Sequence, residues 1–338
     1  MQVYFKSSFW ARGRGLPGTK QPVYWQFEYA GAERHIPAIY RFANGLIFDV
    51  LTILDEAKVY AFLEKYESRA GELTALERRL AEQEHPYQAV PIKEIWINSK
   101  RVDGDYSSST VISMPGREEC DELALIRHAY RRVLQDRRCF ACERFAVPYP
   151  EADSRVQALL RCLRLDKVRS LRLVTRPVSR ILPLDLTLAL KATEEQIECK
   201  FVHPESGVGH ALHLQRAGDL ELPIGDTKLF ITQALYSLDP GLPDGETLQF
   251  DSTMQVHKFP IGKEYLPHSA ASIGIIGTAD GPTSVFIGGQ DQSQAGQHRC
   301  FSIPSLQKEE IARFKLEGIN CRYRASQEFA FSLREPGQ

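Results

Sequence analysis

The chain has 338 residues, a formal net charge of −1 and 43% hydrophobic residues. This composition is typical of a soluble globular protein, and the length allows one large domain or two ordinary ones. No stretch of about eighteen apolar residues occurs, which excludes a protein that crosses a membrane with helices.

Cysteine usage and the N-terminal sequence bear on the compartment. The seven cysteines are odd in number and irregularly spaced, so the sequence predicts reduced thiols and not a disulfide framework. The first ten residues lack a continuous apolar segment followed by a small-residue cleavage site. We therefore expect the protein to stay in the cytoplasm.

The N-terminal half is predicted to combine an antiparallel sheet with amphipathic helices. Apolar runs predict strands at 3–5, 23–29, 36–42, 45–54 and 91–102. Asp55 stands at a helix N-cap position, and the apolar residues after it recur at helical spacing: Val59, Phe62, Leu63 and Tyr66. Further helices are expected at 73–84, 118–134 and 153–163. The last carries Val156, Leu159, Leu160 and Leu163 in helical period.

From residue 168 onward the pattern changes to short strands bounded by Gly, Pro and Asp turns. The predicted strands lie at 168–174, 184–190, 197–202, 211–215, 228–238 and 248–255, followed by a hairpin at 272–289, a short helix at 305–314 and a final strand at 329–333. The predicted fold class is α+β, mostly antiparallel sheet, with the helices concentrated in the N-terminal half. The predicted domains are an α+β domain over 1–150 and a mostly β domain over 151–338.

A formal GxGxxG occurs at Gly13, Gly15 and Gly18. In a dinucleotide-binding fold this pattern follows a strand and opens a helix whose N-terminus receives the pyrophosphate. Here Pro17 and Pro22 interrupt it and a strand follows, which favours a turn over a phosphate site.

The stretch SIGIIGTADGPTSVFIGG at 272–289 has the pattern of strand, turn and strand. Pro282 fixes its own φ and Gly281 tolerates positive φ, so the chain is predicted to reverse at 280–283. The carboxylate of Asp280 either caps this turn through backbone N–H groups or helps to bind an ion, together with Gly277, Gly281 and Thr283.

The string GIIGTADGPTSVFI resembles the signature around the intramembrane aspartate of the beta subunit of sodium-ion-translocating decarboxylases. The resemblance implies a sodium-binding role for Asp280, and it covers about eighteen residues. The whole chain also resembles a family of proteins from anaerobic Firmicutes, which implies membership of that family and no particular chemistry.

Cys139 and Cys142 form a lone CxxC. Zinc sites usually need a second pair, and a thioredoxin-type motif needs a strand before it and a helix after it. Buried thiols, a metal site completed by Cys120 or His128, and a redox pair all remain open, with buried thiols favoured and no metal or cofactor expected. The histidines at 203, 210 and 213 are interpreted as surface and turn residues.

The segment from Arg127 to Arg180 has fourteen Lys or Arg and five Asp or Glu. Such a basic block can meet an anionic ligand, although no nucleic-acid recognition motif accompanies it. We find no catalytic constellation in the chain, so the sequence favours a non-enzymatic binding or assembly module with a protein partner or a second copy, and no membrane. The alternatives are an enzyme or small-ligand binder for a carboxylate or phosphate compound, or a decarboxylase- or sodium-related protein.

Overall fold

The computed structural model describes residues 2–6, 8–9, 16–69, 71–116, 120–224, 227–251, 273–278, 281–287 and 298–333. The chain forms two compact units. The first comprises Met1–Val178 and Arg324–Gln338, and the second comprises Ser179–Tyr323. The second unit is therefore inserted into the sequence of the first.

The elements of the first unit, in chain order, are β1 (Thr19–Tyr29), β2 (Ala32–Arg41), β3 (Gly45–Ile53), α1 (Glu56–Tyr66), α2 (Ala75–Glu84), β4 (Ile92–Ile97), β5 (Lys100–Arg101), β6 (Ser107–Ser113), α3 (Asp121–Ala129), α4 (Arg131–Leu134), β7 (Phe140–Pro148), α5 (Arg155–Cys162) and β8 (Ser170–Thr175). Those of the second unit are β9 (Val178–Lys191), β10 (Gln196–Val202), β11 (Gly209–Ile224), β12 (Thr227–Asp239), β13 (Thr247–Asp251), β14 (Ile273–Thr278), β15 (Gly281–Ile287), β16 (His298–Phe301) and β17 (Ile311–Arg324). The chain then returns to the first unit with β18 (Glu328–Ser332).

Two sheets enclose the main core of the first unit. One has the strand order β1-β2-β3-β7-β6, and the other has the order β18-β8-β4-β5. Apolar residues of both sheets form one buried cluster, in which the rings of Trp25 and Phe331 stack at 5.3 Å. The last strand of the chain thus completes a core that begins with the first strand.

Helices cover the other face of the five-stranded sheet. Leu123 and Ile126 of α3 pack with Leu51 of β3 and Cys142 of β7. The predicted N-cap of α1 is confirmed, because the Asp55 carboxylate accepts from the backbone N–H groups of the second and third helical residues.

Gly45 begins β3 because the strand passes close to its neighbour. A Cβ at this position would lie 2.3 Å from the backbone oxygen of Val147 and 2.6 Å from the ring of Phe5. The structure therefore requires a residue with no side chain at this close approach of two strands.

The second unit is built from strands. β10-β11-β12-β16 form one sheet and β13-β17-β9 form another. A second hydrophobic cluster draws on both sheets, with Leu212 and Leu214 from β11 and Phe314 and Leu316 from β17. β14 and β15 pair with each other as a separate two-stranded hairpin.

The predicted fold class is confirmed: the structure is α+β and mostly antiparallel sheet, and α1 to α5 all lie within the first 162 residues. The short helix predicted at 305–314 is wrong. Residues from Ile311 onward belong to β17, in which Ala312, Phe314 and Leu316 are buried at the two-residue period of a strand.

The division of the chain differs from the predicted boundary after residue 150. α5 and β8 belong to the first unit, because β8 pairs with β4 on one side and with β18 on the other. Leu171 of β8, for example, pairs with Ile97 on one side and with Phe331 on the other. No local sequence pattern encodes pairing between residues so far apart in the chain.

Candidate functional site

The hairpin around the predicted ligand site is present, but its turn lies earlier than expected. Thr278 pairs with Gly281, so Gly281, Pro282 and Thr283 belong to β15. Asp280 falls between the strands and outside the described residues. The register skips Thr283, because Ile276 pairs with Ser284 and Gly277 with Pro282. This bulge is a position where a strand tolerates proline.

Cys139 and Cys142 do not converge on one site. Both thiols are buried and free, and they belong to different hydrophobic clusters. Cys139 directly precedes β7 and Cys142 lies within it. Residues three apart in an extended chain point to opposite faces, which explains the separation. Burial raises the pKa of both thiols, which disfavours the thiolate form that a reactive redox cysteine needs.

Two of the three histidines are buried and not at the surface as interpreted. His203 Nδ1 accepts from the backbone N–H groups of Glu205 and Ser206, so its proton lies on Nε2, which bonds the carboxylate of Glu246 at 3.0 Å. His210 is also buried, and its Nδ1 donates to the backbone oxygen of Pro240. The described residues contain no group of three or more possible metal-ligating side chains.

The basic segment 127–180 does not form one surface. Four of its arginines are paired with carboxylates within the fold: Arg144 with Asp49, Arg161 with Asp166, Arg172 with Glu328 and Arg180 with Glu205. Arg180 also belongs to the second unit. Four other arginines, in α4 and just beyond it, are exposed and form no ion pair with a described residue: Arg131, Arg132, Arg137 and Arg138.

The strongest ion pair of the segment is structural. Arg144 binds Asp49 through two nitrogens, at 2.7 and 2.9 Å, and the hydroxyl of Tyr130 donates to the same carboxylate at 2.6 Å. Burial alone would lower the pKa of Arg144, but the charge and hydrogen bonds of Asp49 raise it above its ordinary value. Tyr130 stands at the break between α3 and α4, where the sequence predicted one continuous helix.

Arg34 is a second buried guanidinium, with less complete pairing. It lies between the rings of Tyr29 and Tyr87, and its Nη2 donates to the backbone oxygen of Gln88. Its Nε and Nη1 have no hydrogen-bond partner among the described residues. Burial lowers the pKa of Arg34, which is the expected effect of moving a cation away from water.

An open cleft of about 510 Å³ lies beside β6. Its lining includes Phe5, Lys6, Asp105 and Tyr106. Burial raises the pKa of Tyr106, and its hydroxyl donates to the backbone oxygen of Ile92 at 2.7 Å. The cleft therefore has room for a small molecule, but the hydroxyl of Tyr106 is already hydrogen-bonded within the fold.

The apolar face of the helix α5 points to solvent and not into the core. Its only buried residue is Arg161, whereas its apolar stripe faces solvent with large exposed fractions. Val156 is 66% exposed, Leu159 59%, Leu160 37% and Leu163 58%. The sequence correctly places these residues on one face of a helix, but that face does not point into the core.

Polar contacts hold the inner side of α5. Arg161 donates to the backbone oxygen of Pro150 and to the carboxylate of Asp166, and its guanidinium lies 4.7 Å from the ring centre of Tyr149. Arg41 of β2 binds the backbone oxygen of Asp166 at 2.9 Å. An arginine and its partners thus anchor the helix where a leucine stripe would normally do so.

The end of α5 extends the apolar stripe. Arg164 has a φ of 58°, and the N–H of Leu165 bonds the carbonyl of Leu160 at 2.8 Å, which closes the helix with a Schellman turn. This turn brings Leu165, which is 61% exposed, next to Leu160. We call the exposed apolar side chains Val156, Leu159, Leu160, Leu163 and Leu165 the α5 surface.

The α5 surface is the feature that sequence reasoning missed. Helical period alone cannot tell a face that packs within the chain from one that is left for another molecule.

Comparisons with protein-family models, with curated proteins and with solved structures found no match to this chain. No helix in the described part of the chain is both long enough and apolar enough to span a membrane. The proposals below therefore rest on the geometry of the chain itself.

Proposed function

We propose that this protein is a non-enzymatic binding or assembly module, and that the α5 surface contacts a protein partner. The observation that carries the proposal is the reversed orientation of α5, with Arg161 inside and the leucines outside. A single exposed leucine is ordinary, but a contiguous apolar stripe marks an interaction site.

The free energy of burial supports this reading. Burying a whole Val or Leu side chain is worth about 1.5–3 kcal/mol. The five side chains of the α5 surface are between 37% and 66% exposed. Covering them would therefore contribute about 4–8 kcal/mol to binding before the cost of association. The isolated chain does not gain this free energy, and a partner that covers the α5 surface would supply it.

We place this function in the cytoplasm, because all seven cysteines are free. Free thiols are typical of a reducing compartment.

Site-specific photocrosslinking in cells that make the protein would test the proposal. A benzoylphenylalanine at Leu159 is expected to give covalent adducts with a protein, whether another chain or a second copy. The matched control is the same group at Tyr60 on α1, which is 52% exposed and lies in the same unit. Equal yields at the two positions, or none at either, would refute a docking role for α5.

A small anion is the second candidate ligand, and Arg34 favours it. Arg34 is fully buried and is influenced by Tyr87 and by the carboxylate of Glu143, but its Nε and Nη1 have no hydrogen-bond partner among the described residues. These two donors are suited to a carboxylate or phosphate compound. Thermal unfolding with inorganic phosphate or citrate would test this. Stabilisation that disappears in Arg34→Gln would support a ligand at Arg34, and no stabilisation of the wild type would remove the candidate.

A sodium-related role depends on Asp280. If the carboxylate only caps its turn, Asp280→Ala should cost about 1 kcal/mol in sodium and in potassium alike. Stabilisation of the wild type by sodium alone, lost in the variant, would instead support the ion-binding alternative.

A further inference from the structure

We infer that the α5 surface binds a second copy of this chain, with the two α5 helices packed antiparallel across a two-fold axis. This inference rests on the proposed function, since it names the partner of the same surface. Two features carry it: the symmetry of the apolar stripe and the mixed charges beside it.

The stripe has the same spacing in both chain directions. Val156, Leu159, Leu160 and Leu163 are separated by three, one and three residues. A two-fold axis between Leu159 and Leu160 places Val156 of one copy opposite Leu163 of the other. These four side chains are therefore complementary to the same four of a second copy, as an isologous dimer contact requires. Antiparallel packing also sets the two helix dipoles in opposite directions, which is the favourable arrangement.

The charged residues beside the stripe have both signs. Glu151, Arg155 and Lys167 form no ion pair with any described residue. The two-fold arrangement brings Glu151 of one copy towards Lys167 of the other, which attracts, and Arg155 towards Arg164, which repels. These opposite effects predict a dimer with little salt dependence.

An anionic membrane or an acidic protein helix would behave differently. Either partner would be repelled by Glu151 and attracted by Arg155, Arg164 and Lys167. Its binding would therefore weaken steeply as the salt concentration rises. The sign and size of the salt effect thus separate the second copy from other occupants.

The area sets the expected affinity. Five partly exposed side chains on each copy put the interface near the lower end of specific protein contacts. A Kd of about 1–100 μM is expected for such a contact.

Sedimentation equilibrium of the purified full chain is the first test. We expect a reversible dimer whose Kd changes by less than about threefold between 50 and 500 mM salt. Leu159→Asp should raise the Kd at least about 30-fold, because a carboxylate would enter an apolar contact. The control is Leu125→Asp on α3, which changes a side chain that is 55% exposed in the same unit and should leave the Kd unchanged. Both positions are on the surface, and circular dichroism confirms that each variant is folded.

Disulfide trapping is the second test, and it reports direction. The background is Cys162→Ser, because Cys162 is exposed. A mixture of Val156→Cys chains and Leu163→Cys chains should form a mixed disulfide on oxidation. Val156→Cys chains alone should not, because seven residues separate the two positions by about 10 Å along the helix, and a disulfide needs Cα atoms within about 7 Å.

Each remaining outcome overturns the inference. A monomer at all concentrations, with Leu159 still crosslinked to a different protein in cells, would refute self-association and leave the proposed function standing. A dimer that tolerates Leu159→Asp would place the contact elsewhere. Vesicles of phosphatidylcholine and phosphatidylserine give a third outcome. If they bind the wild type, release it as salt is added and do not bind Leu159→Asp chains, the α5 surface is a lipid-binding surface and not a dimer contact.

Discussion

Asp49→Asn should destabilise the first unit more than any single surface change. Asp49 is fully buried, and its carboxylate accepts two hydrogen bonds from Arg144 and one from Tyr130. The amide keeps the shape of the side chain but removes its charge. The guanidinium of Arg144, which also lies 4.4 Å from the ring centre of Phe9, would then stay buried but lose the negative charge of Asp49.

The expected loss follows from the cost of an uncompensated buried charge. Breaking such a pair costs about 3–5 kcal/mol. In a domain the size of the first unit, each kcal/mol lowers the Tm by about 2–4 °C, so the Tm should fall by about 6–20 °C. Tyr130→Phe removes the hydrogen bond to the charged Asp49 and the longer one, 3.4 Å, with the Tyr40 hydroxyl. It should cost about 1.5–3 kcal/mol.

Urea unfolding followed by circular dichroism would measure these losses. The decisive variant is the double change Asp49→Leu with Arg144→Met, which removes both charges together and should recover most of the stability lost in Asp49→Asn. A loss below about 1 kcal/mol for Asp49→Asn, or a double variant as unstable as the single one, would refute the view that charge pairing dominates this site.

Three further predictions concern a buried acid, a close strand approach and the thiols. Burial raises the pKa of Glu143 above 4.5, so the folded state binds this proton more tightly than the unfolded state does. The resulting contribution to the free energy of unfolding is complete below pH 4.5 and is lost as the pH rises through the raised pKa. Glu143→Gln should remove that loss, which urea unfolding between pH 4 and 8 would show as a flatter profile, and an unchanged slope would contradict it. Gly45→Ala should lower the free energy of unfolding by about 3 kcal/mol or more. Gly71→Ala is the control and should be neutral in the same assay, because a Cβ there meets no atom within 4 Å. Equal effects of the two changes would disprove the close-approach argument. Iodoacetamide with mass spectrometry should modify Cys162 quickly in the native protein and leave Cys142 intact, and rapid labelling of Cys142 would mean that its strand opens readily.

Local chemistry made several features predictable from the sequence. The cap at Asp55 depends only on the residues that follow it, and the strand character of the C-terminal half depends on two-residue alternation. The helical stripe from Val156 to Leu163 was likewise visible. In each case the signal lies within a few residues of the feature it predicts.

The remaining features depend on distant parts of the chain. The pair of Asp49 and Arg144 joins residues 95 positions apart, and Gly45 is required by the backbone of Val147. The outward orientation of Leu159 depends on the contacts that Arg161 makes with Pro150 and Asp166. Hydrophobic period reports which residues share a face, and only the tertiary contacts decide where that face points.

The inserted position of the second unit has a consequence for synthesis. β8 leaves the ribosome early, but its neighbour β18, which carries Phe331, leaves after the whole of the second unit. At about 5–20 residues per second this interval is on the order of ten seconds. During that time the edge of β8 and the ring of Trp25 have no partner from β18. The nascent chain therefore passes through a stage with an open strand edge, at which chaperones would find a binding site that the finished protein no longer offers.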